Sequence, residues 1–279
     1  MLLIADSGAT KTEWRTLDPT GQIGQARTAG ISPYYQTEEE IAADLRQHLR
    51  PQLPAPVSDI YYYGTGCSGP EPIAVVERAL RAVFPEAGAV QVGSDMLGAA
   101  RALCGTEPGI ACILGTGCNA CLYDGRQIIR PALSLGFWLG DEGSGGYLGK
   151  TLLVAYLHGD LPPELAEKFS RRYNNPDRLT VLDHAYKQPY PSRYFAAFAK
   201  FLFDNRTHPY AYQLIYDAFG LFLDKYVRKF EGHDQLPIHF VGSVAFYYSD
   251  ILRRVVADKG LRAGRTMETP IAGLTLYHH

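Results

Sequence analysis

What this sequence lacks narrows it first. In its 279 residues no apolar run approaches the ~18 needed to cross a membrane as a helix. The N-terminus has no basic leader followed by a long apolar stretch and a small-residue cleavage site, so no signal peptide is read and the expected compartment is the cytoplasm. Lysine plus arginine (27) nearly balance aspartate plus glutamate (29), for a formal net charge of −2. Without a basic stripe, nucleic acid is not an expected partner. Cysteine is sparse and odd in number: Cys67, Cys104, Cys112, Cys118 and Cys121 all fall in the first half, which does not suit a secreted disulfide framework. Cys118 and Cys121 have C-x-x-C spacing, but no second Cys or His pair follows at a zinc-ligand distance, so free thiols are expected. Two nucleotide fingerprints are missing as well. There is no Gly-x-x-x-x-Gly-Lys-Ser/Thr, and in "GTGCNA" Ala120 stands where a dinucleotide fold places its third glycine.

What is present describes a folded chain of two parts. Hydrophobic residues make up 46% and charged residues 20%, which is globular and not disordered. The length is natural for two domains of about 100–180 residues. Leu2–Ala5 reads as a buried strand, with Glu13–Leu17 and Ile23–Ala26 as neighbours joined through Asp18-Pro19-Thr20-Gly21. Glu38–Leu49 has helical periodicity, with Thr37 as cap and Glu40 completing a capping box. "DIYYYGTG" and "AVQVGSD" read as strands, and Pro72–Phe84 and Met96–Leu103 as helices, which together suggest an α/β domain with a mixed sheet. "IACILGTGCNACLYDG" then repeats the opening: apolar run, small-residue turn, apolar strand. Two copies of one unit predict a duplicated fold with a cleft between the halves. The expected domains are 1–106 and 107–279, the second carrying a helical insertion from Gly143 to about Phe230 before a late strand at Ile238–Val244.

Four turns, each read as ending a strand, carry the chemistry: Asp6-Ser7-Gly8-Ala9-Thr10-Lys11-Thr12, Gly115-Thr116-Gly117-Cys118-Asn119, Gly140-Asp141-Glu142-Gly143-Ser144-Gly145 and Gly242-Ser243-Val244. Glycines let successive N–H groups close on an anion, and hydroxyls add donors. A carboxylate at such a turn repels phosphate unless a cation intervenes, so Asp6 makes sense through Mg²⁺, which is held by one or two carboxylates together with phosphate oxygens. The competing reading of the first turn is an ordinary hairpin, and of the third a solvated turn. Asp95, in "VGSDMLGAA", is either the cap of the helix that follows or a strand-end base.

"DSGATKTEW", "ILGTGCNACLYDG", "GFWLGDEGSGGYLGK" and "FVGSVAFYYSDIL" resemble the N-acetylglucosamine kinase branch of the sugar kinase–actin–heat-shock ATPase superfamily, in the family it shares with ATPase activators of acyl-CoA reductases and dehydratases. The resemblance implies an α/β fold of two ribonuclease-H-like domains (the actin-like ATPase duplication) flanking a nucleotide cleft that takes ATP and Mg²⁺. It implies ATP and phosphate contacts from Asp6, Ser7, Gly8, Thr10, Lys11, Thr12, Gly115, Thr116, Gly117, Asn119, Gly242 and Ser243, with Asp6 toward the metal. It implies Asp95 as general base, and sugar contacts from Ser32, Ser68, Asp95, Thr116, Trp138, Gly140, Asp141 and Glu142. It makes a homodimer an expectation.

One departure is that Ser32, in "AGISPYYQ", stands where sugar-binding members place an Asn, and a hydroxyl cannot supply both the acceptor and the donors of a carboxamide. The aromatics Phe137, Trp138, Tyr34 and Tyr35 suit a pyranose face or ordinary packing. The expected activity is ATP-dependent phosphorylation of an amino sugar, N-acetylglucosamine or N-acetylmuramic acid. Two alternatives stand beside it. One is an iron–sulfur activator ATPase acting on a partner protein, against which stands the absence of any cysteine beyond Cys121. The other is a nucleotide-binding regulator without catalysis, against which stands the retention of both Asp6 and Asp95.

Overall fold

The computed structural model describes residues 1–8 and 10–279; Ala9, part of the first turn read above, lies outside the described residues. The chain forms two compact units. The first comprises Met1–Glu107 with Gly125–Ile128 and Thr269–His279, and the second Pro108–Asp124 with Ile129–Glu268.

The first unit is built on β1 (Leu2–Ser7), β2 (Lys11–Leu17), β3 (Ile23–Ala29), α1 (Glu38–Asp44), β4 (Asp59–Gly64), α2 (Pro70–Val83), β5 (Ala89–Ser94) and α3 (Asp95–Cys104). Its sheet runs β3-β2-β1-β4-β5, with β2 antiparallel to both neighbours and β4 parallel to β1 and β5. The Thr37–Glu40 capping box forms as expected, and α1 continues through a wide turn at Leu45–Leu49. On α2 the buried Val76, Ala79, Leu80 and Val83 follow the i, i+3, i+4, i+7 spacing of one helix face. Each large aliphatic so buried stabilises the fold by about 1.5–3 kcal/mol. They join Leu3, Ala5, Trp14 and Tyr62 on one side of the sheet. On the other side, Ile4 and Tyr63 pack with α3.

The second unit repeats the plan with β6 (Gly109–Leu114), β7 (Cys118–Tyr123) and β8 (Ile128–Pro131). A helical excursion follows: α4 (Gly136–Leu139), α5 (Gly145–His158), α6 (Pro163–Tyr173), α7 (Arg178–Tyr186), α8 (Pro191–Asp204) and α9 (Pro209–Lys225). Then come β9 (Ile238–Val241), α10 (Ser243–Tyr247), α11 (Ser249–Asp258) and β10 (Ala263–Met267), before α12 (Ile271–His278) closes the chain against α3 in the first unit. Read from its other edge, the second sheet is β8-β7-β6-β9-β10, with β7 antiparallel to β6 and with β9 parallel to both β6 and β10. Both sheets thus share one strand order, β7, β6, β9 and β10 repeat the directions of β2, β1, β4 and β5, and the duplication expected from the repeated turn is present in the backbone. The late strand ends at Val241, earlier than expected, because Gly242 turns the chain into α10 with φ 119°. The α5–α8 pair packs with backbone against backbone: a Cβ on Gly149 would run into the Phe195 carbonyl. No helix among the described residues is long and apolar enough to cross a membrane.

All five cysteines are buried and none is in a disulfide. Cys118 and Cys121 lie three apart on β7, and side chains alternate faces along a strand, so the two point to opposite sides of the sheet and cannot chelate one ion.

Candidate active site

In the first unit, three parallel strands end along one edge. Strand register sets Asp6 beside Glu13 on β2 and Tyr63 on β4, and sets Ser7, Gly64 and Ser94 in the next row. Asp95 is the first residue after β5. Burial pushes the Asp6 carboxyl up to about 7; the charges of Glu13 and Asp95 push it the same way, while Lys11 pulls it down. Glu13, 6% exposed, stays paired with Lys11 at 2.8 Å and Arg27 at 3.4 Å. Asp95 is likewise held above the usual carboxylate range, chiefly by burial, against hydrogen bonds from the Met96 N–H at 2.7 Å and from the Thr65 hydroxyl. The helix cap is Ser94: its Oγ accepts the Leu97 N–H at 3.2 Å. Asp95 is therefore not the cap that one sequence reading allowed.

The first turn closes with the Gly8 N–H donating to the Lys11 carbonyl at 3.0 Å. Ser7 and Thr12 are buried, and their hydroxyls share a 2.7 Å hydrogen bond. Ser7 Oγ also accepts the Ile31 N–H at 3.3 Å, and Thr12 Oγ1 donates to the Ala29 carbonyl at 3.0 Å. These side chains hold the loop to β3, and the groups turned to solvent are Gly8, Thr10 and Lys11. Ser32 opens a turn whose backbone N–H is taken by the Gln36 side chain at 2.7 Å. Ser68 is exposed in the turn after β4. Tyr34 lies over that turn, its ring 3.1 Å from where a Gly66 Cβ would stand, and Tyr34 and Tyr35 are 61% and 82% exposed.

In the second unit, the β6–β7 turn is closed by the Gly115 N–H donating to the Gly117 carbonyl at 3.0 Å. The N-terminus of α5 is packed on it: the Gly145 N–H donates to the Gly115 carbonyl at 2.8 Å and the Gly146 N–H to the Thr116 carbonyl at 2.9 Å. Ser144 caps that helix by accepting the Tyr147 N–H at 3.1 Å. The first donors of α5 thus fix the turn. The Gly140–Gly145 segment links α4 to α5 and does not end a strand, unlike the other three turns. Asp141, in a left-handed conformation with φ 59°, turns its carboxylate onto the β6–β7 turn, where Oδ1 accepts the Cys118 N–H at 3.4 Å. Burial raises its pKa, with Glu142 adding to the rise and the Cys118 N–H and Lys150 opposing it. Glu142 points the other way. Burial alone would raise it, but an ion pair with Lys225 and the Tyr226 hydroxyl at 3.0 Å hold it below its usual range. The Tyr226 hydroxyl also accepts the Asp141 N–H at 3.1 Å.

Gly242 lies against the backbone of Leu114 and Gly115, where a Cβ would collide with the Leu114 carbonyl. This brings the second and fourth turns together around a cavity of about 510 Å³ lined by Gly115, Thr116, Ser243, Lys200, Phe203 and Tyr247. Asn119 stands on β7, its Oδ1 accepting the Ala120 N–H at 2.9 Å. Trp138 on α4 is half-exposed and lies parallel to Tyr186, centroids 5.8 Å apart, while Phe137 is partly buried against Phe195. Sequence reasoning missed Thr65, Lys200 and Phe203. Thr65 and Tyr247 lie in stretches read only for their strand, turn and helix pattern, and an isolated Lys and Phe on a helix give no local signal.

Two sheets of identical strand order, one ending in two partly buried carboxylates and the other lining a cavity with Gly, Ser and Thr turns, define a duplicated ribonuclease-H-like protein of the ATPase type. Among solved structures, a Porphyromonas gingivalis protein provisionally named an N-acetylglucosamine kinase is 39% identical with a TM-score of 0.93, over 100% of this chain and 99% of that one. A Chromobacterium violaceum protein with the same provisional name is 21% identical with a TM-score of 0.71, over 100% and 98%. A provisionally named sugar kinase of Cytophaga hutchinsonii shares the fold at 17% identity and a TM-score of 0.55, over 100% of both chains. No family model and no curated protein sequence matches the chain. The chain belongs to the N-acetylglucosamine kinase-like branch of the sugar kinase–actin–heat-shock ATPase superfamily, and is a kinase of the sugar-phosphorylating kind.

Proposed function

We propose that this enzyme transfers the γ-phosphoryl group of ATP, as its magnesium complex, to a hydroxyl of an amino sugar, N-acetylglucosamine or N-acetylmuramic acid, with Asp95 as general base. The observation that carries this reading is Asp95 itself. It sits at a strand end beside a second carboxylate, is raised by burial toward the range useful to a base, and is relieved of capping by Ser94. In that role Asp95 takes the proton of the acceptor hydroxyl as it attacks phosphorus, and the Thr65 hydroxyl steadies its carboxylate. Sugar contacts are assigned to Ser32, Ser68, Thr116, Trp138, Gly140, Asp141 and Glu142.

Asp6 fits Mg²⁺, since it is a strand-end carboxylate with Asp95 near enough to act on its charge, and this ion needs only one or two carboxylates besides phosphate and water. When bound, it would offset the charge that builds on the transferred phosphoryl group. Phosphate contacts are assigned to Gly8, Thr10 and Lys11, which are exposed, in the first unit, and to Gly115, Thr116, Gly117 and Asn119 in the second. The 510 Å³ cavity suits the adenosine half, with Gly242 and Ser243 at its rim and Phe203 and Tyr247 as apolar wall. A small-molecule acceptor and a cytoplasmic setting complete the proposal; a homodimer is part of it.

The test is an ADP-release screen over amino sugars, plain hexoses and muropeptide fragments in the presence and absence of Mg²⁺. Turnover confined to N-acetylated amino sugars and dependent on the metal supports the reading. Equal turnover with no sugar present points to a partner-coupled ATPase.

A further inference from the structure

Beside the Gly140–Glu142 loop the second unit has a separate cavity of about 400 Å³, for which phosphoryl transfer requires no role. Three cations, Arg130, Lys225 and Lys229, line it against a single carboxylate, Glu142, in a chain whose net charge is −2. Lys225 is tied to Glu142. Arg130 and Lys229 have no carboxylate within ion-pair distance among the described residues, although they come from segments about a hundred residues apart in the chain. The rest of the wall is apolar: Leu133, Leu135 and Leu139 contribute it and are 82%, 52% and 75% exposed. Arg130 and Lys229 are exposed at the cavity, and unpaired cations beside an apolar wall fit an anion carried on a short apolar stem, which they can meet with charge-assisted hydrogen bonds. The cavity is not remote from the proposed sugar loop. Gly140 and Glu142 are in its wall, and Tyr226, also in the wall, bonds both the Asp141 N–H and the Glu142 carboxylate.

We infer that this cavity receives a carboxylate-bearing substituent of the acceptor, so that the preferred substrate is the acidic amino sugar, N-acetylmuramic acid, over its neutral parent. The inference rests on the reading of the enzyme as an amino-sugar kinase. The lactyl ether that distinguishes the two sugars is a methyl-bearing stem ending in a carboxylate, and matches the leucine wall and the two unpaired cations in turn.

The test compares kcat/KM for N-acetylmuramic acid and N-acetylglucosamine in the wild type, Arg130→Ala and Lys229→Ala. A wild-type preference of about tenfold or more for the acidic sugar is expected, the scale of one hydrogen bond to a charged group, and each variant should lower that ratio by about tenfold. A wild type that favours the neutral sugar, or a ratio that neither variant moves, overturns the inference. Calorimetric titration with each sugar separates this from the broader reading. If neither sugar is phosphorylated, the kinase reading fails, while tighter binding of the acidic sugar that Arg130→Ala abolishes still supports the cavity's role. Titration with lactate and with inorganic phosphate alone covers the other source of the anion. If either binds as tightly as the acidic sugar and alters turnover of the neutral one, the cavity is an effector site and the acceptor assignment is overturned.

Discussion

The two sheets of this protein have the same strand order and carry opposite chemistry. In the first, β1 ends in Asp6-Ser7 and β5 runs into Asp95, so the strand ends gather acid. In the second, the corresponding β6 ends in Leu114-Gly115 and β9 in Val241-Gly242, so the strand ends gather backbone that packs closely and leaves a cavity beside it. A duplicated scaffold fixes where strand ends fall, and a few residues at those ends decide what each copy does. The first copy accepts electrostatic strain: Asp6, Glu13 and Asp95 are carboxylates crowded on one edge. The second accepts steric strain, with Gly242 at φ 119° against a carbonyl. Each strain is a point at which the comparison can be broken.

The largest effect should come from Asp95→Asn. Its Oδ1 can still accept the Met96 N–H and Ser94 still caps α3, so the fold should be unchanged. Loss of a general base lowers turnover by about 10²–10⁴. Steady-state kinetics should show kcat falling on that scale, with the dissociation constant of an ATP analogue nearly unchanged. Near-normal turnover would remove Asp95 from the chemistry.

Asp6→Asn should separate activity from stability. Turnover should fall by at least tenfold if Asp6 serves Mg²⁺. The metal-free protein should melt at the same or a higher temperature, because the substitution removes a desolvated carboxylate that the charges of Glu13 and Asp95 both oppose. Thermal unfolding with and without Mg²⁺ checks this: the wild type should gain more from the ion than the variant does. Loss of stability in Asp6→Asn would show that the carboxylate is structural.

In the second unit, Gly242→Ala tests steric strain in the same way. The added Cβ meets the Leu114 carbonyl, and a positive φ is unfavourable for alanine, so a loss of about 1–3 kcal/mol in unfolding free energy is expected. Denaturant titration reads the loss. Binding of an ATP analogue should weaken with it, because Ser243 borders the cavity. If the variant is as stable as the wild type and binds equally well, the close approach of the two turns is not needed.

Much of this was legible in the sequence because it is local. Thr37 and Glu40 announce their capping box, the apolar runs of β1, β4 and β6 announce buried strands, and the repeated Gly turns announce the duplication. Edge strands β8 and β10, with sequences IIRP and AGRTM, were not legible, since they are short, largely solvent-facing and defined by the neighbour they pair with. Nor was the packing of α12 on α3, which joins residues far apart in the chain. At the site, Asp6 and Asp95 were visible as carboxylates at strand ends. That the hydroxyls of Ser7 and Thr12 are bonded inward was not, because the partners at Ile31 and Ala29 come from across the sheet. Lys200 and Phe203 reach their cavity only through the docking of α8 on α5, which no local pattern encodes.

The smallest effect near neutral pH is shared by the two units, and each holds one imidazole neutral by the same device. His278 Nε2 lies 2.8 Å from the Tyr63 hydroxyl, whose oxygen already accepts from Arg101 at 2.6 Å, so Tyr63 donates to His278 and Nε2 carries no proton. His239 Nδ1 accepts the Arg265 N–H at 3.0 Å. Burial first, then Arg101 in one case and Arg265 in the other, bring both down to about 4 from the ordinary 6.5. In the unfolded chain each takes up a proton as pH falls through 6.5, while the folded protein does so only near 4. Between those values the unfolded state binds more protons, so stability is full above pH 6.5 and declines as pH falls toward 4. The slope is at most about 1.4 kcal/mol per pH unit for each histidine, and less for the more exposed His278. His239→Asn offers an acceptor in place of Nδ1, and His278→Gln one in place of Nε2, and neither titrates. Each should flatten the decline of unfolding free energy between pH 6.5 and 4, His239→Asn by more. Equal slopes in wild type and variants would show that these histidines are already protonated in the folded protein, contrary to the donors aimed at them.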